Sequence, residues 1–113
     1  MLDYTKVDWT QRAAKLTFRH QAFIDGKFVD AASGETFQSI NPATDAVLAD
    51  VAACDFEDVN RAVASGRAAF EAGVWSRTDP AHRKAVLLKL ADLIRANLEE
   101  FALLDSVDMG KLV

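Results

Sequence analysis

The chain has 113 residues, of which 50% are hydrophobic and 27% charged, a composition typical of a globular domain rather than of a disordered or membrane-spanning chain. The net charge of −4 argues against nucleic acid or an anionic membrane as the main partner, because both are bound through concentrated Lys and Arg. Cys54 is the only cysteine, so no internal disulfide can form, and we expect a soluble protein in the reducing cytoplasm.

The first predicted element is a short helix from Asp8 to Leu16. Asp8 and Gln11 stand three residues apart, which is the spacing of a capping box. A helix of roughly ten residues is marginal alone in water. We therefore expect Trp9, on its apolar face, to pack against this chain or a neighbouring one.

A β-hairpin is predicted at residues 23–29. Asp25 and Gly26 separate two short β-prone runs there, and Asp-Gly tolerates the two positive φ angles of a two-residue turn. Two further strands are predicted at 35–40 and 46–52, with turn-forming residues between them. Together these runs predict one small antiparallel or edge-type sheet.

A second helix is predicted to begin after Asp55, which is supported by Asp58 at the third helical position, and to end at Gly73. Its many small residues would let it approach another backbone closely. We expect Trp75, in the connector that follows, to be wedged between helical units. Helical spacing predicts a buried stripe made of Phe56, Val59, Ala62, Val63, Gly66 and Phe70.

The longest periodic segment runs from Asp79 to Lys111. Asp79 can cap a helix, Pro80 fits the first helical position, and Gly110 can take the left-handed conformation that ends one. A helix of about 30 residues is long for a globular protein, so we expect two consecutive helices joined near Asn97, or one bent helix. Its apolar positions predict the main buried face, namely Leu87, Leu90, Ala91, Ile94, Leu98 and Phe101.

No catalytic motif is visible in the sequence. His20 and His82 each lie about 30 residues from Cys54, which favours a buried small thiol, two surface or capping histidines, and no zinc or iron site. The five glycines do not cluster into a phosphate-binding loop. Glu99 and Glu100 are adjacent, so on a helix they diverge, and a solvated face is the expected role.

Asp108 is the unusual carboxylate of the chain. It lies in the last turn of the predicted final helix, in the run LDSVDMGK, where the helix dipole disfavours an anion. A nearby cation would stabilise a carboxylate in that position.

Several short motifs follow one another in the chain: FIDG at 23–26, INPAT at 40–44, the helix at 58–70, Trp75, LADLI at 90–94 and DMGK at 108–111. In this order and spacing they resemble the N-terminal part of NAD(P)-dependent aldehyde dehydrogenases. The extension from Tyr4 to Phe18, together with the run WSRTDPAHRKAVLLKLADL, is similar to the branch that oxidises γ-glutamylaminobutyraldehyde and related aminoaldehydes in polyamine breakdown.

The resemblance implies an α+β fragment of an α/β, Rossmann-like fold, with a β-hairpin, small antiparallel strands and three to four helices. Residues 1–113 would form the N-terminal segment of the NAD(P)-binding domain. Within it, 1–19 would be a helical arm, 20–53 the hairpin and strands, and 54–113 the helices, with the catalytic domain absent.

The resemblance also implies the activity of the complete protein. It would oxidise a small-molecule aldehyde to a carboxylic acid through a cysteine thiohemiacetal, hydride transfer to NAD or NADP, and hydrolysis of a thioester. The family suggests a homo-oligomer. Because the catalytic and dinucleotide-binding residues of the family lie beyond position 113, this segment would contain neither and would be inactive alone.

A monovalent-cation site for K⁺ or Na⁺ carries over from the resemblance as well. Its ligands would be backbone oxygens of Ser39 and Ile40 together with Asp108, and a remaining ligand would come from outside the segment. The role of such a site would be structural, since it would hold the strands against the end of the last helix.

The rival hypothesis is a freestanding α+β interaction module that forms a homo-oligomer and has no catalytic activity. Both hypotheses predict self-association, because surfaces normally covered by the absent domains would be exposed, and large apolar patches tend to find partners.

Overall fold

The computed structural model describes residues 5–111, which form four helices and four short strands. This arrangement confirms the α+β fragment predicted from the sequence. None of the described helices is long and apolar enough to cross a membrane. The elements are α1 (Lys6–Ala13), β1 (Ala22–Ile24), β2 (Lys27–Val29), β3 (Thr36–Ile40), β4 (Val47–Ala52), α2 (Phe56–Ala72), α3 (Pro80–Ala96) and α4 (Leu98–Met109).

Helix α1 begins earlier than the sequence pattern predicts. Thr5 is the N-terminal cap, and Asp8 occupies the third helical position. The Asp8 amide donates to the Thr5 hydroxyl at 3.3 Å, and the Thr5 amide donates to the Asp8 carboxylate at 3.0 Å. The predicted capping box of Asp8 and Gln11 is therefore wrong, because Asp8 is the responding acid of the box rather than its cap.

Helix α1 packs against α4, and Trp9 of α1 is half-buried. The Arg12 guanidinium forms an ion pair with the Glu99 carboxylate across this contact. Glu99 is thus partly covered, so the prediction of a solvated face holds for Glu100 and is wrong for Glu99.

The first two strands form the predicted hairpin. Ala22 pairs with Val29 in an antiparallel register, and the turn residues Asp25 and Gly26 have φ angles of 53° and 73°. Both angles are positive, as a type I′ turn requires. The Ser65 hydroxyl donates to the Asp25 carboxylate at 3.2 Å and ties this turn to α2.

Strands β3 and β4 pair with each other in a separate two-stranded sheet, so the prediction of one small sheet is wrong. Thr36 pairs with Ala52 at one end of this second sheet. The Ala52 amide of β4 donates to the His20 carbonyl, in the segment before β1, at 2.8 Å. That bond links the two hairpins, but it does not make them one ladder.

The ends of the long helices agree with the sequence signals. Helix α2 has Asp55 as its cap, and Gly73 ends it with a φ of 72°. The Asp79 carboxylate accepts the Ala81 amide at 2.6 Å at the start of α3. Asn97 separates α3 from α4, which confirms two consecutive helices rather than one.

Most of the predicted core is not buried. Ala31 and Leu103 are the only buried hydrophobic residues in the part of the chain that the structure describes. The chain is a plate of 49 × 39 × 18 Å, and its apolar helix faces lie open on it. Trp75 is 44% exposed rather than wedged between helices. Exposed residues of the predicted buried faces are Phe56, Val59, Val63, Phe70, Leu87, Leu90, Ile94, Leu98 and Phe101.

Candidate functional site

The structure brings Ser39 and Asp108 together although they are 69 residues apart in the chain. The Ser39 hydroxyl donates to the Asp108 carboxylate at 2.7 Å. Ser39 lies near the end of β3, and Asp108 lies in the last turn of α4. The contact involves the side chain of Ser39, whereas the resemblance implied its backbone oxygen.

Ile40 follows Ser39 directly and is the last residue of β3. The ladder changes register between the two, since Ser39 pairs with Ala49 and Ile40 pairs with Val47, so that Leu48 is the extra residue. A bulge of this kind bends a strand and frees backbone groups from the ladder. The irregularity therefore lies at the two residues whose backbone oxygens the sequence analysis selected.

The turn after β3 also touches the end of α4. Gly110 caps that helix with a φ of 72°, and a Cβ at Gly110 would be 3.4 Å from Pro42 Cγ. The turn itself is held by Asn41, whose side-chain oxygen accepts the Ala43 amide at 2.9 Å. The Ser39 to Asp108 hydrogen bond thus ties the β3–β4 hairpin to the last helix, and the turn at Pro42 leaves little room for a side chain at Gly110.

A cavity of about 520 Å³ lies beside this junction. Three carboxylates line it, those of Glu100, Asp105 and Asp108, together with one cation, Arg19. The Arg19 guanidinium stacks 4.5 Å from the centroid of the Phe28 ring. The acidic balance of the lining favours a cation over an anion as an occupant.

The other sequence candidates do not form a site. No group of three or more His, Cys, Asp or Glu side chains within residues 5–111 is arranged to hold a metal ion. His20 and His82 are exposed, as predicted. Cys54 is exposed as well, so the prediction of a buried thiol is wrong. It precedes the cap of α2, at the point where the chain leaves the sheet.

Asp58 is the residue whose importance the sequence understated. Its carboxylate is 1% exposed and accepts the Ala32 amide at 3.0 and 3.2 Å, the Asp55 amide at 3.2 Å, and the Arg61 guanidinium. Burial raises the pKa of Asp58, but the bonds from Arg61, Asp55 and Ala32 outweigh it and lower the pKa below its ordinary value. The spacing to Asp55 predicted only the cap, and nothing in the sequence pointed to Ala32.

The family is decided by a comparison with known proteins, in which residues 28–113 match the aldehyde dehydrogenase family. The chain belongs to the aldehyde dehydrogenase family. The resemblance seen in the sequence motifs is thereby confirmed. The chain is 52% identical over 107 residues to the aminoacetaldehyde dehydrogenase of Pseudomonas aeruginosa, covering 95% of this chain and 22% of that protein. It is 46% identical over 103 residues to the NADP/NAD-dependent aldehyde dehydrogenase PuuC of Escherichia coli, covering 91% and 21%.

Solved aldehyde dehydrogenase structures share the fold of this segment. The indole-3-acetaldehyde dehydrogenase AldA of P. syringae, solved with NAD+ and IAA, superposes with a TM-score of 0.93 at 50% identity, covering 95% of this chain and 22% of that one. The γ-glutamyl-γ-aminobutyraldehyde dehydrogenase of Burkholderia cenocepacia superposes with a TM-score of 0.88 at 48% identity, covering 89% and 20%. This aldehyde dehydrogenase chain therefore spans about a fifth of the length of its relatives.

Proposed function

We propose that this chain is the N-terminal segment of the NAD(P)-binding domain of an aldehyde dehydrogenase that oxidises aldehydes to carboxylic acids with NAD or NADP. The observation that carries the proposal is the TM-score of 0.93 at 50% identity over 95% of the chain. The segment serves as scaffold. Its described glycines are spread over turns, a helix interior and caps, so none of its residues is assigned to the dinucleotide.

The test is a chimera in which residues 1–113 replace the corresponding segment of the P. aeruginosa aminoacetaldehyde dehydrogenase. We expect the chimera to reduce NAD in the presence of aldehyde at a rate within about tenfold of the parent, since a tenfold change in rate corresponds to only about 1.4 kcal/mol of barrier. The isolated chain should give no turnover. A folded chimera without activity, or NAD reduction by the isolated chain, would contradict the proposal.

For the substrate, we propose an aminoaldehyde of the kind formed in polyamine breakdown. Two relatives support this class, the aminoacetaldehyde dehydrogenase and the γ-glutamyl-γ-aminobutyraldehyde dehydrogenase. We further propose a cytoplasmic homo-oligomer. The ratio of kcat/KM for an aminoaldehyde to that for indole-3-acetaldehyde, measured on the full-length enzyme, tests the substrate class. A ratio below one would favour the indole substrate.

We also propose that Ser39, Ile40 and Asp108 hold K⁺ or Na⁺ at the junction of β3 and α4. The bond from Ser39 to Asp108, the bulge beside it and the acidic cavity support this site. Oxygen ligands suit a hard cation, and a positive charge offsets the unfavourable position of Asp108 at a helix C-terminus.

The cation proposal predicts that the stability of the chain depends on the ion present. Asp108→Ala should lower the thermal midpoint by a few degrees in potassium buffer, and the loss should shrink in a buffer whose only cation is tetramethylammonium, which is too large for the site. Glu71→Ala, at an exposed carboxylate of α2, is the matched control. An equal decrease of the thermal midpoint by Asp108→Ala in the two buffers would contradict the proposed cation site.

A further inference from the structure

The turn of the first hairpin contains the one place in the chain where an aspartate or an asparagine is followed by glycine. Asp25 and Gly26 are both exposed, and their φ angles are 53° and 73°. A Cβ at Gly26 would have no neighbour within 4 Å among the residues that the structure describes. The Gly26 backbone nitrogen therefore follows a carboxyl-bearing residue directly, and no side chain of its own shields it.

This arrangement permits a reaction between the Asp25 side chain and the main chain. The Gly26 nitrogen forms a bond to the carboxyl carbon of uncharged Asp25, the C–OH bond of that carboxyl breaks, and the hydroxyl leaves with the amide proton as water. The product is a five-membered succinimide ring.

Water then opens the succinimide ring in one of two ways. Cleavage of the bond between the nitrogen and the side-chain carbonyl restores aspartate. Cleavage of the bond to the main-chain carbonyl gives isoaspartate, in which the main chain runs through the former side chain. One water is lost and one is regained, so the reaction needs no oxidant and no other co-reactant.

The other aspartates and asparagines lack this combination. Asp45 is also exposed and has a positive φ of 57°, but Ala46 follows it, and the alanine methyl crowds the attacking nitrogen. Asn41 and Asp79 precede proline, which has no N–H to react. Aspartates within helices, such as Asp105 in α4, have a backbone that helical hydrogen bonds hold in place. Ring closure is therefore least hindered in the hairpin turn.

We propose that Asp25 is a site of spontaneous isoaspartate formation and that the Ser65 hydroxyl slows the reaction. The hydroxyl donates to the Asp25 carboxylate at 3.2 Å, which directs the carboxylate toward α2. Ring closure requires the carboxyl carbon to reach the Gly26 nitrogen, so this bond must break first. Its length exceeds the usual O–H···O range of about 2.5–3.0 Å, so the restraint is weak and slows the reaction without preventing it.

Isoaspartate at this position disrupts the hairpin. It inserts a methylene group into the main chain between Ile24 and Lys27, which form the last pair of the ladder. A two-residue turn has no place for an extra atom, because its twist matches that of the two strands. The carboxylate also moves to the former main-chain position, so the bond from Ser65 is lost. Isomerisation of one residue therefore loosens the joint between the hairpin and α2.

The test is to incubate the chain of 113 residues for several weeks at neutral pH and physiological temperature. The chain is then denatured and digested with trypsin, so that self-association during the incubation does not affect the result. Cleavage after Arg19 and Lys27 releases the peptide 20–27, in which Asp25 is the one aspartate. We expect a second chromatographic peak of the same mass, which a protease that cleaves before aspartate does not cut. The peptide 28–61 is the internal control and should give no such peak, although it contains Asp30, Asp45, Asp50, Asp55 and Asp58.

Four variants separate ring closure from the effect of Ser65. Asp25→Asn should convert faster than the parent, since asparagine closes the same ring with loss of ammonia and Asn-Gly fits the same turn. Ser65→Ala should raise the rate of isomerisation at least about twofold, because it removes one net hydrogen bond. Ser65→Thr, which keeps the hydroxyl, and Ser106→Ala, at a half-buried serine of α4, should keep the parental rate. Helical circular dichroism before the incubation checks that each variant is folded.

Absence of an isomer peak in 20–27 while Asp25→Asn converts would overturn Asp25 as the site, and so would an equal extent of isomerisation in 28–61. An Asp25→Asn variant that did not convert would show that the turn blocks ring closure. An unchanged or lower rate in Ser65→Ala, or a raised rate in Ser65→Thr, would overturn the role of Ser65. The outcome is independent of the proposed function, since ring closure involves only the hairpin turn and α2.

Discussion

At the scale of single residues, Asp58 is the one carboxylate that is buried within residues 5–111. It joins the loop after β2 to the first turn of α2 through the Ala32 and Asp55 amides. Arg61 supplies the countercharge. A buried charge that lost these partners would be costly, so the loop and the helix start are held in one geometry.

The lowered pKa of Asp58 predicts a loss of stability in acid. Its pKa is lower in the folded chain than the value of about 3.9 in the unfolded one. The unfolded chain therefore takes up a proton more readily, and the stabilisation is complete at neutral pH and lost as the pH falls below about 4. We expect Asp58→Asn to lower the thermal midpoint at pH 7 by at least about 5 °C and to flatten its fall between pH 5 and pH 3.

The matched control for this prediction is Asp50→Asn, at an exposed carboxylate of β4. It should leave both the midpoint and its pH dependence within experimental error of the parent. Thermal unfolding followed by circular dichroism at each pH supplies the comparison. If Asp58→Asn and Asp50→Asn had the same profile, the network around Asp58 would contribute nothing.

At the scale of elements, the cap that ends α2 combines a left-handed backbone conformation with close packing. Gly73 has a φ of 72°, and a Cβ there would be 2.5 Å from Arg77 Cδ. Gly34 has a φ of 75° and nothing within 4 Å. The two glycines therefore share the backbone conformation but differ in their surroundings.

Replacement of these glycines by alanine should separate the two effects. We expect Gly34→Ala to lower the free energy of unfolding by about 1 kcal/mol, since a left-handed conformation disfavours a side chain. Gly73→Ala should cost more, because the Arg77 side chain must also move. Urea unfolding measures both, and Arg77→Ala in the Gly73→Ala background should recover the difference. Equal costs for the two glycine variants would show that Arg77 adjusts freely.

The sequence predicted those turns and helix ends whose signals come from residues close together in the chain. Asp25 with Gly26, Asp55 with Asp58, and Gly110 each act on residues a few positions away, so the sequence alone located the turn, the cap and the helix end. The division into two sheets was not predictable in this way, because it depends on residues distant in the chain. The exposure of the apolar faces contradicts the helical periodicity and was expected only on the hypothesis that covering domains are absent. The pairing of Ser39 with Asp108 spans 69 residues, and only the family resemblance suggested it.

At the scale of the whole molecule, the chain is an open plate whose thinnest dimension is 18 Å. A helix with its side chains is about 10 Å wide, so a plate of this thickness is no more than about two helices deep. An apolar face on either side of such a plate therefore meets solvent directly. Phe56 and Val63 in α2 and Leu87 in α3 are each more than half exposed.

This shape predicts that the isolated chain self-associates without a fixed stoichiometry. Several apolar faces are open at once, so contacts between copies need not close into a single symmetric dimer. Sedimentation velocity should show a distribution that broadens and shifts to larger species as the concentration rises. A sharp monomer peak across the whole concentration range would contradict the prediction.

The contact between α1 and α4 has a consequence for how the chain is made. The two hairpins join residues that leave the ribosome in quick succession. Arg12, in contrast, cannot form its ion pair until Glu99, which is 87 residues later, has been translated. At about 5–20 residues per second, that wait lasts on the order of several seconds. We therefore expect α1, although it is translated before the other described helices, to dock last among them, so that it remains open to chaperones until α4 has been made.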